Sequence, residues 1–198
     1  MAQETIKATT QSYVRNSVHP IERRFKTKAA ALRYNHLKCT LYSDAMFFSA
    51  PSFIQTKCSQ IFTTNFGFTK FVPMKGKGEA AEVLRELITY IGIPEHIHMD
   101  GAKEMMLGNW RKTCNELGIR MLNTEKSSPW QNRAETEIRE VKKHTRRLLH
   151  KTRSPIELWD FCMSYVTKLR NGIVHPLPAA LGRAPYKIIT GNTPNISE

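Results

Sequence analysis

SSPWQNRAETEIREVKKHTRRLLHK, residues 127–151, is the stretch on which the reading of the whole chain turns. Ser128 can accept a hydrogen bond from the free N–H groups of a helix start, and Pro129 suits the first turn. Nothing breaks the pattern before Thr152-Arg153-Ser154-Pro155, so the stretch predicts one long helix. Ala134, Ile138, Val141 and Leu148 follow the i, i+4, i+7, i+14 spacing of a buried stripe. Arg139, Lys142, Lys143, Arg146 and Arg147 crowd the sectors beside and behind it, and Glu135 stands at the head of that basic track. A solvated helix with i, i+4 ion pairs would look much the same. The rest of the chain decides between the two.

The whole chain of 198 residues carries 30 Lys and Arg against 17 Asp and Glu, a formal charge of +13. Such a surface repels itself unless a polyanion is the partner, and nucleic acid is the first candidate. The charge is concentrated. Residues 1–36 hold seven Lys and Arg against two Glu, and residues 129–151 hold seven against three, so these segments supply +9 of the +13. No apolar run approaches the roughly 18 residues of a membrane span, no amphipathic helix has a broad aromatic face, and the N-terminus lacks a signal-peptide core. A soluble intracellular protein is expected. Cys39, Cys58, Cys114 and Cys162 are widely spaced without a CxxC pair, which predicts buried free thiols rather than a zinc knuckle or a disulfide framework. Lys75-Gly76-Lys77-Gly78 lacks the spaced glycines and Lys-Ser/Thr of a phosphate loop and reads as a basic turn, and no small-molecule substrate is indicated.

In chain order, residues 1–36 read as a basic arm: a solubilising tail, or a phosphate-binding or nuclear-import segment through Arg23, Arg24, Lys26 and Lys28. Residues 37–175 read as the core, and 176–198 as an extension packed onto it or cut short. Leu37–Leu41 alternates like a strand that leads into Tyr42-Ser43-Asp44, whereas AMFFSAPSF after it is too broken by Pro51 and serines to continue a sheet. Cys58–Thr64 and Phe68–Met74 flank Asn65-Phe66-Gly67 as a hairpin that Pro73 closes. A helix over Glu79–Ile91 stops at Gly92, and Ile93-Pro94-Glu95 turns the chain into a short strand, His96–Met99. A helix over Glu104–Leu117, a strand over Ile119–Thr124, the long helix, and a helix over 155–170 carrying Leu158, Phe161, Cys162, Tyr165, Val166 and Leu169 complete the core. That order predicts an α/β fold: one mixed sheet of about five strands flanked by helices.

The chain has three aspartates, Asp44, Asp100 and Asp160. Asp-Gly at a strand end is also ordinary turn chemistry. Yet Asp44 and Asp100 each follow a predicted strand, and adjacent parallel strands would bring them to one edge, within reach of Glu135. Three converging carboxylates in a basic protein suit divalent metal. Mg²⁺ takes carboxylate and water oxygens, and two such ions about 3.5–4 Å apart clamp the attacking and leaving oxygens of a phosphodiester. Asp160, inside a helix beside Trp159, is set aside as an exposed or capping acid. His96 and His98, two apart on a strand, could pair on a metal or simply end the strand. Trp130 could stack on a base or seal the helix against the sheet.

The succession Asp44, Asp100 and then Glu135, 35 positions further on, resembles the Asp-Asp-Glu triad of retroelement integrases. SDAMF at 43–47, HMDGAKE at 98–104, SSPWQNRAETEIREVKK at 127–143 and GRAPYKIITGNTPNIS at 182–197 resemble the copia-type retrotransposon version in particular. The resemblance covers most of the chain, from about Leu37 to Ser197. It implies an RNase H-like fold and a polynucleotidyl transferase that processes and joins element DNA ends to target DNA. By the same resemblance, Asp44, Asp100 and Glu135 are catalytic and hold two Mg²⁺ (or Mn²⁺) ions, and Gln131, Asn132, Arg139, Lys142, Lys143 and Arg146 contact double-stranded DNA. It further implies a homo-oligomer, found in the nucleus or, before import, in a cytoplasmic particle. The chain departs from the family pattern at Asp100-Gly101-Ala102 and in a shorter Gln-Asn to Glu interval, which leaves Glu137 as an alternative ligand; it lies about 200° around the helix from Glu135, so only one of them can face the site. A catalytically silent nucleic-acid-binding remnant and an RNase H-type nuclease are the competing readings.

Overall fold

Alternation fixes which side of each strand is buried, and a long central strand organises the rest. The structure is a computed structural model that describes residues 34–99, 108–123 and 133–194. Its strands are β1 (His36–Phe47), β2 (Cys58–Thr64), β3 (Thr69–Met74), β4 (Ile93–Met99) and β5 (Arg120–Asn123). Its helices are α1 (Ala80–Ile91), α2 (Asn109–Leu117), α3 (Arg133–Thr152), α4 (Trp159–Gly172) and α5 (Pro185–Thr190), with short 3₁₀ turns before α1, α4 and α5. The strands form one sheet in the order β3-β2-β1-β4-β5. β1, β2 and β3 pair antiparallel, whereas β1, β4 and β5 pair parallel. This is the mixed five-stranded sheet flanked by helices that the sequence predicts.

The two sheet faces bury different sets of side chains. Cys39 and Leu41 of β1, Phe62 of β2, Val72 of β3 and Ile97 and Met99 of β4 point to one face. There Val83, Leu84, Leu87, Ile88 and Ile91 of α1 and Trp110, Cys114 and Leu117 of α2 cover them. Met46, Ile61 and Phe71 point to the other face, beneath Ala134, Val141 and Leu149 of α3 and Trp159, Met163 and Val166 of α4. At roughly 1.5–3 kcal/mol for each large apolar side chain removed from water, these two layers are the main source of stability. Gly92 ends α1 with φ +102, and a Cβ there would sit 2.5 Å from the Asn35 carbonyl oxygen, which accepts the Ile93 amide at 2.8 Å. The chain can enter β4 this closely only at glycine.

Several boundaries differ from the sequence reading. β1 continues through Ala45-Met46-Phe47, because these residues pair with Gln60, Ser59 and Cys58 of β2; Pro51 interrupts the chain only after that ladder ends. Pro94 lies inside β4 rather than in a turn. It sits opposite Leu37, beside a register irregularity and before β5 begins to pair, so its missing N–H leaves no gap in a two-sided ladder. α2 starts at Asn109, since Gly108 has φ +88 and is not helical, and 104–107 lie outside the described residues.

The helix faces also shift. Ala134, Glu137, Val141, Thr145 and Leu149 are the buried positions of α3, with Ile138 and Leu148 half-buried at the margin. In α4 the buried positions are Trp159, Asp160, Met163, Val166, Thr167 and Asn171, whereas Phe161, Tyr165 and Leu169 are exposed. Asn171 explains part of that rotation. Its side-chain amide accepts the Thr69 N–H at 2.8 Å and donates to the Thr69 carbonyl at 2.7 Å, and so stands in for a neighbouring strand on the β3 edge. Of the extension, Leu177, Ala180, Ile188 and Ile189 pack against the core layer under α1.

Candidate active site

The even-numbered side chains of β1 face α3, so Asp44 lies on one surface with Tyr42, Met46 and its cross-strand partner Ile61. Asp44 is half-buried, and its Oδ1 accepts the Ala45 amide at 2.7 Å. It sits three residues inside β1 rather than at a strand end. Among the described residues the parallel ladder to β4 ends one position earlier, with Ser43 opposite Met99, while the antiparallel ladder to β2 runs on to Phe47. Asp100, Gln131 and Asn132, together with Trp130, lie outside the described residues.

Glu135 is exposed in the first turn of α3, the helix that covers Asp44's face of the sheet. Arg133 anchors that turn by donating to the Asn65 carbonyl, at 3.4 Å, in the β2–β3 connection. At about 100° per residue, Glu135, Arg139, Lys142 and Arg146 fall within a sector roughly 60° wide, flanking the buried stripe. Arg139, Lys143 and Arg146 are exposed; Lys142 is half-buried, with Nζ 5.7 Å from the Phe48 ring centroid. Lys143 and His144 lie 3.8 and 3.7 Å from Glu140, long distances for exposed pairs that add little stability. The acid thus heads one continuous cationic track.

Glu137 has a different task. It is buried and accepts a hydrogen bond from Arg170 of α4 at 2.8 Å, so its carboxylate holds α3 to α4 and points away from Glu135's sector. Asp160 is buried rather than exposed; its Oδ1 accepts the Phe161 amide at 2.8 Å in the first turn of α4. His96 and His98 share the α3 side of β4. His98 packs 5.5 Å from the Tyr42 ring, and burial lowers its pKa below the usual histidine value. Among the described residues no three His, Cys, Asp or Glu side chains come together as a metal site. The cysteines are free. Burial pushes the Cys39 thiol up to about 11, with Glu95 adding to it, and Cys114 to about 12, so neither supplies a thiolate near neutral pH.

The sequence pattern puts Glu135 at the head of a long helix that carries the basic residues, and the structure has that helix; Asp44 lies within β1 rather than at its end. The pattern misses the Arg170–Glu137 and Asn171–Thr69 pairs, whose partners are 33 and 102 residues apart and carry no local signature. It gives no sign that β1 runs on through Phe47.

No protein-family model matches the chain, and no curated protein matches it in sequence. Solved structures do. The HTLV-2 integrase catalytic core domain in complex with magnesium, in its trimeric form, superposes with a TM-score of 0.60 at 15% identity over 79% of this chain and 99% of that one. The dimeric form of the same domain gives 0.59 at 15% identity, over 80% and 99%. A chain of the simian T-cell lymphotropic virus intasome in complex with the PP2A regulatory subunit B56 gamma gives 0.60 at 16% identity, covering 82% of this chain and 60% of that one. The fold is therefore that of the integrase catalytic cores, an RNase H-like fold.

Proposed function

We propose that this chain is an integrase-type polynucleotidyl transferase of copia-like origin that processes element DNA ends and joins them to target DNA. The observation that carries the reading is Asp44 on the α3-facing side of the central strand, with Glu135 in the first turn of α3 itself. Asp100 follows Met99, the partner of Ser43 in the parallel ladder, and completes the proposed triad.

Carboxylate oxygens are hard donors, so the acids present fit Mg²⁺ or Mn²⁺ better than a softer metal. Asp44, Asp100 and Glu135 would hold two such ions, which supply Lewis-acid stabilisation of the oxygens that attack and leave phosphorus. The remaining work falls to the chain. Arg139, Lys142, Lys143 and Arg146, with Gln131 and Asn132, hold the DNA phosphates so that the scissile bond lies over the acids, and binding weakens steeply with salt. A homo-oligomer would present two DNA ends together, and a nuclear site of action follows from a chromosomal target; the trimeric and dimeric forms of the HTLV-2 core support the former.

Strand transfer in Mg²⁺ by Asp44→Asn, Asp100→Asn and Glu135→Gln tests the reading. Each substitution is expected to lower the rate by about a thousand-fold, equivalent to ~4 kcal/mol of barrier. A variant that keeps wild-type activity removes its residue from the mechanism. DNA binding without metal-dependent cleavage in the wild type selects a silent binding domain instead, and cleavage of RNA–DNA hybrid without joining selects an RNase H-type nuclease.

A further inference from the structure

A cleft of about 370 Å³ lies beside the β3 edge, where α4, α5 and the end of α1 converge. Phe68, Thr69 and Phe71, all buried, form its floor. The polar groups there already have partners: Asn171 takes up both backbone groups of Thr69, and the Thr167 hydroxyl donates to the Ser164 carbonyl at 2.9 Å. The rim differs. Lys70 is half-buried, with Nζ 5.2 Å from the Tyr90 ring centroid, and Lys168 of α4 is exposed. Among the described residues neither lysine forms an ion pair, and no acid lines the cleft. Lys168 stands about 160° around α4 from Arg170, which meets Glu137 of α3, so the cleft is turned away from the cationic track on α3.

An apolar protein segment seated here would cover two lysines without meeting their charge, which is costly. Lysine ammonium groups act as point charges that suit the several oxygens of a phosphate. A carboxylate is better matched by the planar fork of arginine, and no arginine lines the cleft among the described residues. The lining is also rich in rings, with Tyr90 and Tyr186 beside the two phenylalanines. Its volume falls within the roughly 300–1,000 Å³ of pockets that enclose whole small ligands. We propose that this cleft binds a small phosphate monoester that carries a ring, with the phosphate held by Lys70 and Lys168 and the ring against Tyr186. Its position away from α3 favours a free ligand over a phosphate of bound DNA.

The test is titration calorimetry of the full chain, without divalent metal, with adenosine 5′-monophosphate and adenosine as probes. The monophosphate is expected to bind at one site about ten-fold more tightly than adenosine, the weight of the hydrogen bonds to its charged group. Lys70→Gln and Lys168→Gln should each remove most of that preference without moving the unfolding midpoint, whereas Lys168→Arg should keep it. Arg139→Gln, on the α3 track, should leave the monophosphate affinity as in the wild type, and a fully paired DNA duplex should not displace the bound monophosphate. Absent binding, equal affinities for the two probes, a preference that survives Lys168→Gln or is lost with Arg139→Gln, or displacement by the duplex overturns the proposal. Because no metal or acid variant enters, the result is independent of the transferase reading.

Discussion

The two faces of the sheet differ in the charge they bury. Under α1 and α2 the interior is mostly apolar and sulfur-rich, Leu84, Leu87 and Ile88 are almost wholly enclosed, and the buried polar side chains Ser43, Gln60, Thr64 and Thr113 are all uncharged, Gln60 donating to Ser43 at 2.7 Å. Under α3 and α4 the buried stripe admits Glu137, Thr145, Asp160 and Asn171, and Asp44 shares that face. One face buries only uncharged groups, whereas the other holds carboxylates in defined places at a cost in packing. The alternation of a single strand, β1, serves both.

Substitutions on each face sharpen this contrast. Leu84→Ala leaves a hole in the close-packed layer and should cost about 3 kcal/mol in urea denaturation, with no effect on which DNA is bound. Arg170→Met leaves the Glu137 carboxylate buried and unpaired and should cost about 2 kcal/mol, discounted because the Arg170 side chain is 18% exposed. The double variant Glu137→Leu/Arg170→Leu should recover most of that loss. If it does not, the pair contributes more than geometry and the two faces are less unlike than described. Asn171→Ala frees both groups of Thr69 at the sheet edge, and should cost about 1 kcal/mol and raise self-association measured by light scattering.

A further effect, a pH dependence above pH 9, arises under α1 and α2. The folded-state pKa values of Cys39 and Cys114, about 11 and about 12, lie above the ordinary thiol value of 9.0. Above pH 9 the unfolded chain gives up thiol protons that the folded chain keeps, so the folded state is progressively disfavoured. The contribution of these thiols is fully present below pH 9 and lost as pH rises through 11 to 12. Denaturation midpoints of wild type and Cys114→Ala should therefore converge between pH 9 and 11.

Much of this was legible in the chain itself. The β2–β3 hairpin follows from two alternating runs around Asn65-Phe66-Gly67, and α1 from a clean stripe ended by Gly92. Asp44 and Glu135 were legible because strand and helix periodicity place them independently of tertiary detail. The inward face of α4 was not legible, for the converse reason. It has apolar residues on two sides, and the side that faces inward is chosen by Arg170 and Asn171 finding Glu137 and Thr69, partners that local pattern does not reveal. The end of β1 was misread because serines and Pro51 mask a ladder whose other half lies in β2.

The ladder around β1 also ranks how the molecule comes apart. Leu41, Tyr42 and Ser43 are bonded to strands on both sides at once, so their amides should exchange with solvent among the slowest in the molecule. Asp44 follows directly on that rigid segment, while Glu135 rides on a helix terminus, the kind of element that opens first on gentle warming. The two acids can thus separate while the sheet stays whole.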